Sequence, residues 1–266
     1  MTGARSKSIV IWSITWFCVI TLSAPTVIII GASFTSGEII QFPPDGLSLR
    51  WYGALVGQTA FTDALWRTLY VSLVCTALSI PAGVLAALAT VRYRLRFRPA
   101  IQVYLLLPFT IPLVVSGIGM MVWFGELRIL GALRPVDVGL CVINLPFMIW
   151  AVSASASALD PELENAAANC GAGPVMVFFT VTLPAVTPGI ITGALLMFIL
   201  AVNEFLVSLF LTDSRTVTLP VQIYNSIRSV ITPDLAAISV VYIVLALAAV
   251  WLLDRLVGLE IFLKSR

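Results

Sequence analysis

The chain has 266 residues, of which 60% are hydrophobic and 11% charged, with a formal net charge of +2 and no histidine. This composition excludes a soluble globular domain and fits one polytopic membrane domain over residues 1–266. The small net charge leaves no footprint for nucleic acid, and the lack of histidine removes the commonest metal ligand and general base.

Arg5 and Lys7 precede an apolar segment from about Ser8 to Ser33. It is longer than the ~7–15-residue core of a signal peptide. It is also long enough for the roughly 30 Å hydrocarbon layer, so a retained first span is expected. Phe34 to Thr62 is mixed and turn-rich, containing Phe42-Pro43-Pro44-Asp45-Gly46 and Leu49-Arg50-Trp51-Tyr52, and reads as an external loop. A second span, about Thr62 to Thr90, is closed by Arg92, Arg94, Arg96 and Arg98. Beside a span, such a cluster marks the cytoplasmic side.

The third span runs from about Pro99 to Phe124. Pro108 and Pro112 within it predict a kinked helix facing the bundle interior. Gly125 to Asp137 reads as a short external loop, and a fourth span follows from about Val138 to Ala158. The fifth is placed at about Pro184 to Leu211 and the sixth at about Leu235 to Leu253, with a polar external stretch, Thr212 to Asp234, between them. Arg255, Lys264 and Arg266 mark the cytoplasmic side again, so both termini and the stretch before Pro184 are expected inside.

The segment 159–185, within LDPELENAAANCGAGPVMVFFTVTLPAVTPG, is the piece that cannot be a span. Asp160-Pro161 suits a helix start, Ala166-Ala167-Ala168 favours helix, and Gly171 can end it in a left-handed conformation. Gly173-Pro174 begins a second short helix. The expected result is two short helices joined by a small-residue elbow outside the bilayer.

An ionisable group also interrupts the fifth span, at Asn203-Glu204 within FILAVNEFLVSLF. A carboxylate there costs several kcal/mol unless it faces water or a partner. Two roles stand open for it: the solute pathway, or a hydrogen bond between helices. Asn144 and Gln102 are weaker polar candidates that interhelical contacts account for. Cys18, Cys75, Cys141 and Cys170 lack metal-ligand spacing. The chain also has neither a Gly-rich phosphate loop nor a nucleophile–base constellation. Neither a metal nor nucleotide hydrolysis by this chain is expected, nor an enzyme activity of its own.

Glu164-Asn165-Ala166-Ala167, then Gly171-Ala172, then Leu183-Pro184 resemble the "EAA" loop of the membrane subunits of binding-protein-dependent ABC importers. The strings FPP…LRWY and LLLPFTIPLVVSGIGM are similar to the same family. AVNEFLVSLFLTDSRTVTLPVQIYNSIRSVITPDLAAISVV resembles the second permease of spermidine/putrescine-type importers, a pattern shared with opine and phosphonate importers.

The resemblance implies an all-α permease of type I with six transmembrane helices in the bacterial inner membrane. Its coupling helix would dock on a dimer of ABC ATPase subunits, which bind ATP and Mg²⁺ while this chain holds no cofactor. A second, related permease would complete a heterodimer, and a periplasmic or lipid-anchored binding protein would deliver a small organic solute: a polyamine such as spermidine or putrescine in the first place, with an opine, phosphonate, amino acid or other organic solute as the alternative. The family's usual Glu falls on Asn165, with Glu164 just before it. Any ion pair the family makes there is either lost or made by Glu164. Other classes would look different: a secondary carrier would carry inverted repeats and several intramembrane charges, and an assembly protein would not need the Gly and Leu-Pro spacing.

Overall fold

A computed structural model describes residues 2–93, 95–229 and 231–257, so Arg94, Lys264 and Arg266 lie outside the described residues. Among these residues the regular structure is helical, apart from one isolated antiparallel bridge between Thr35 and Leu47. The helices are α1 (Thr2–Ser33), α2 (Arg50–Gly57), α3 (Thr59–Arg92), α4 (Arg98–Thr110), α5 (Leu113–Glu126) and α6 (Arg134–Ala158). They continue with α7 (Pro161–Asn169), α8 (Pro174–Val177), a π turn (Phe178–Thr182) and α9 (Leu183–Val202). The last three are α10 (Leu206–Leu211), α11 (Leu219–Ser229) and α12 (Pro233–Val257).

Four helical stretches are long and apolar enough to cross a bilayer alone: Ile11–Ser33, Thr59–Arg92, Arg134–Ala158 and Pro174–Val202. The pair α4 and α5 makes a fifth if counted as one broken span, and α12 begins with the apolar stretch Pro233–Ala248 in the place expected for the sixth. Each backbone N–H within such a helix is bonded inside the segment, which is why helices are the workable spanning form here.

The chain divides into two compact units. The first comprises Met1–Thr62 with Ile223–Leu245. In it α1 leaves Trp12, Phe17 and Leu22 more than half exposed. A helix apolar all round is stable only in lipid or against a partner. The loop after α1 is ordered rather than loosely solvated. Ser36 N–H donates to Gly46 O at 3.2 Å, Ser48 N–H to Phe34 O at 2.7 Å, and Ser33 Oγ lies 2.7 Å from Tyr52 Oη. At the other sequence end of this unit, Gln58 Nε2 donates to Asp234 Oδ2 at 3.1 Å.

The second unit comprises Asp63–Gln222 with Ala246–Arg266. Its core is built from α3, α6, α9 and α10, with Val71, Leu140, Met148, Val152, Val186 and Met197 essentially buried. α6 and α9 approach closely because Gly189 presents no side chain: a Cβ there would lie 2.6 Å from the Ala151 carbonyl and 2.6 Å from Ser155 Oγ. Small residues at crossings are how membrane helices gain contact without a hydrophobic driving force. The start of α11 is held to α3 by the Leu219 N–H, which donates to Thr68 Oγ1 at 2.7 Å.

Several boundaries differ from the sequence expectation, beginning with the loop Phe34 to Thr62, which contains α2 and the start of α3. The third span does not merely kink: α4 and α5 are bent by 94° at Ile111-Pro112, and α4 has no buried residue. Proline at 112 forces Ile111 into an extended conformation (φ −80°, ψ 133°) and supplies no N–H, so the helix ends there. α6 starts at Arg134, bringing Asp137 into a helix where a loop was expected. The fifth span starts ten residues early, at Pro174, and breaks after Val202. The stretch 212–234 contains a helix, α11.

Candidate functional site

The segment 159–185 folds as its residues dictate. Asp160 caps α7, its Oδ1 accepting from Glu162 N–H at 3.0 Å, and Pro161 takes the first helical position. Glu162 and Glu164 occupy the first turn, where the helix dipole favours carboxylates. Gly171 ends the helix with φ +91°. Its N–H reaches Ala168 O at 2.9 Å and the Ala172 N–H reaches Ala167 O at 3.1 Å, the paired bonds of a Schellman cap.

α8 follows and passes through the π turn into α9, so the second short helix is the foot of the fifth span. The Leu183 N–H bonds to Phe178 O, five residues back. Pro184 accounts for the widening: in α register its ring would clash with the Thr180 carbonyl, and it has no N–H to give.

Glu164 points inward. Its Oε2 lies 3.4 Å from Arg92 Nη2, at the last residue of α3, and its Oε1 accepts from Thr182 Oγ1 at 2.6 Å. Arg92 Nη2 also donates to Leu159 O, just past α6, at 3.4 Å. Both charged side chains are about four-fifths buried. Asn165, at the family's usual Glu position, is exposed and donates to Glu162 Oε1 at 3.3 Å. The pairing thus falls to Glu164, within the chain. Ala166, Leu163, Val175, Met176 and Phe179 are exposed along the outer surface of the segment, while Ala167, Leu183 and Ala172 are half-buried and Pro184 is exposed. A cavity of about 370 Å³ lies between this segment and the end of α3, lined by Arg92, Tyr93, Glu164, Asn165, Phe178 and Thr182 among others.

The second feature is the interruption at Asn203-Glu204. α9 stops at Val202 and α10 starts at Leu206. Glu204 is 9% exposed and occupies the gap. Its Oε1 accepts from Val207 N–H at 2.8 Å, and its Oε2 from Ser208 N–H at 2.9 Å and Ser208 Oγ at 3.1 Å. The carboxylate therefore satisfies the free donors that open α10. Asn203 is exposed, its Nδ2 bonded to Ile199 O at 2.8 Å. Neither Arg92 nor Thr182 stood out in the sequence: the first reads as one of a run of topogenic arginines, and the second carries no signal of its own within 159–185.

A family model described as "Binding-protein-dependent transport system inner membrane component" matches residues 79–259. The chain belongs to this family. Over 227 residues it is 29% identical to the putrescine transport system permease protein PotI of Escherichia coli K12, covering 82% of this chain and 80% of that one. Over 230 residues it is 26% identical to the spermidine/putrescine transport system permease protein PotC of Escherichia coli K12, covering 86% of each. The fold matches that of a chain from a bacterial ABC transporter involved in import of the acidic polysaccharide alginate. The TM-score is 0.75 at 17% identity, covering 96% of this chain and 98% of the other.

As a family member the chain is an all-α, multi-pass inner-membrane permease subunit and not an enzyme; ATP hydrolysis belongs to a separate subunit. Permeases of this family work with an ATPase and a binding protein.

Proposed function

We propose that this chain carries a polyamine-like organic cation across the inner membrane, as one half of a heterodimeric permease driven by a dimer of ABC ATPases. The observation that supports the solute is the likeness to PotI and PotC over more than four-fifths of this chain. The fold does not choose the solute, since a structure with the same fold belongs to an importer of an acidic polysaccharide. Residues 1–266 act as a single permease domain. Glu164, Asn165, Ala166, Ala167, Gly171, Leu183 and Pro184 form the coupling segment, and the ATP and Mg²⁺ that drive it are held by the ATPase.

The outer surface of α7 and α8 has the character of a docking element: short, capped at both ends, with Leu163, Val175, Met176 and Phe179 exposed. Movement there reaches α9 directly, because α8 and α9 are continuous. In the span itself, unwound backbone at 203–205 is the kind of break that lines a solute path, where the ends of half-helices meet the cargo. Asn203 lines that path, and Glu204 holds the break open while lending it negative charge.

Uptake tests this reading. Proteoliposomes holding the chain with its permease partner, ATPase and binding protein should accumulate radiolabelled putrescine only with ATP inside. Uptake of an anion such as molybdate in its place would overturn the solute. Failure to co-purify with the ATPase would overturn the permease role. Topology has its own check: Cys170 is exposed in the coupling segment, so a membrane-impermeant maleimide should label it only after the membrane is opened. Labelling from outside intact cells would invert the arrangement, which puts both termini and residues 92–98 in the cytoplasm.

A further inference from the structure

Two side chains gather the cytoplasmic ends of three spans onto one face of α7. Arg92, at the end of α3, reaches both the Leu159 carbonyl past α6 and Glu164 on α7. Glu164 passes its other oxygen to Thr182, the last residue of the π turn that opens α9. A displacement of α7 therefore pulls on α3 through an ion pair and on α9 through a hydrogen bond, with one carboxylate common to both.

The geometry also leaves somewhere to go. Arg92 Nε is buried without a partner, and the cavity of about 370 Å³ is walled by Arg92, Glu164 and Thr182 themselves. The π turn holds one residue more than α register allows. Moving that extra residue along the helix shifts the following segment by about 1.5 Å and turns it by about 100°.

We propose that Arg92, Glu164 and Thr182 form a clasp whose rearrangement, accommodated by the π turn at 178–182, passes movement of the coupling segment to α3 and α9. This rests on the permease reading above. Arg92 and Thr182 act as positioning residues: they touch neither solute nor nucleotide, and they set how far hydrolysis is converted into transport. Asn165, turned outward beside the inward Glu164, leaves the outer face of α7 uncharged at that position. The carboxylate is thus reserved for the clasp.

The test uses the complete transporter in proteoliposomes and reads putrescine transported per ATP hydrolysed, alongside the stimulation of hydrolysis by the binding protein. Thr182→Val keeps the volume and removes the hydroxyl. Arg92→Gln keeps a polar, hydrogen-bonding side chain but is shorter and removes the charge. Each is expected to leave assembly and unstimulated hydrolysis within about twofold of wild type while lowering transport per ATP, and stimulation by the binding protein, about tenfold. Thr182→Ser, which keeps the hydroxyl, and the charge swap Arg92→Glu with Glu164→Arg should recover most of the loss. Wild-type coupling in both single variants would overturn the clasp. So would loss of assembly in them that Thr182→Ser and the swap fail to repair, since the contacts would then only hold the fold. A wild-type complex that neither assembles nor transports would instead overturn the permease reading.

Discussion

Replacing Glu204 by Gln separates a structural from an electrostatic role at the break in the fifth span. The native carboxylate takes three donors on two oxygens, at 2.8, 2.9 and 3.1 Å, in a site only 9% exposed. Gln offers one oxygen and one NH₂ group. Whichever way it is turned, the NH₂ group faces the N–H of Val207 or that of Ser208, so one buried backbone donor loses its acceptor. An orphaned buried donor costs about 1–3 kcal/mol. For a domain of roughly 150–250 residues each kcal/mol shifts the melting point by about 2–4 °C. Glu204→Gln should therefore lower the thermal midpoint of the detergent-solubilised subunit by at least about 2 °C, and lower putrescine uptake as well. Glu204→Asp keeps the charge but is one methylene shorter, so it should recover charge-dependent uptake better than it recovers stability. The assay is a tryptophan-fluorescence melt run beside uptake in proteoliposomes. A Gln variant that melts with wild type would refute the capping argument; one that melts lower yet transports normally would remove the charge from the solute pathway.

Three further outcomes follow from local geometry. At Gly171 an added Cβ meets no atom within 4 Å, so Gly171→Val costs at least the left-handed backbone, about 1–2 kcal/mol; the subunit should reach the membrane normally but bind the ATPase more weakly in a pull-down. Gly189→Ala drives a methyl to 2.6 Å from the Ala151 carbonyl, which is fixed in α6, and should destabilise the α6–α9 crossing by about 1–3 kcal/mol, seen as a lower melting point. Asp213 is held below the usual carboxylate range, first by the Thr216 hydroxyl and then by the Arg215 N–H. With a depressed folded value, its contribution is complete above about 3.8 and is lost as pH falls through the folded pKa. The Arg215 and Thr216 amides should stay protected from hydrogen exchange at pH 6 relative to Asp213→Asn, and lose that difference as the pH falls through the lowered folded pKa of Asp213.

Hydropathy and local chemistry determined most of this protein from sequence. Apolar runs of span length located α1, α3, α6 and α12, and Asp160-Pro161 with Gly171 specified the start and stop of α7 because caps depend on adjacent backbone groups alone. The bend of 94° at Ile111-Pro112 was visible as a pair of prolines, but its size was not, since how far a freed backbone swings depends on what packs around it. The roles of charged residues were decided only in three dimensions. Arg92 looked like one of four topogenic arginines until α3 ended beside α7, and Asp137 looked like a loop residue until α6 started early and buried it to 3% exposure. Glu204 had two readings in sequence, and the structure supplied a job that neither named: its carboxylate closes on amides three and four residues ahead, because the helix breaks there and its donors need an acceptor. Periodicity reports which faces are apolar; which polar group meets which is set by where helices end, and that depends on packing between segments far apart in the chain.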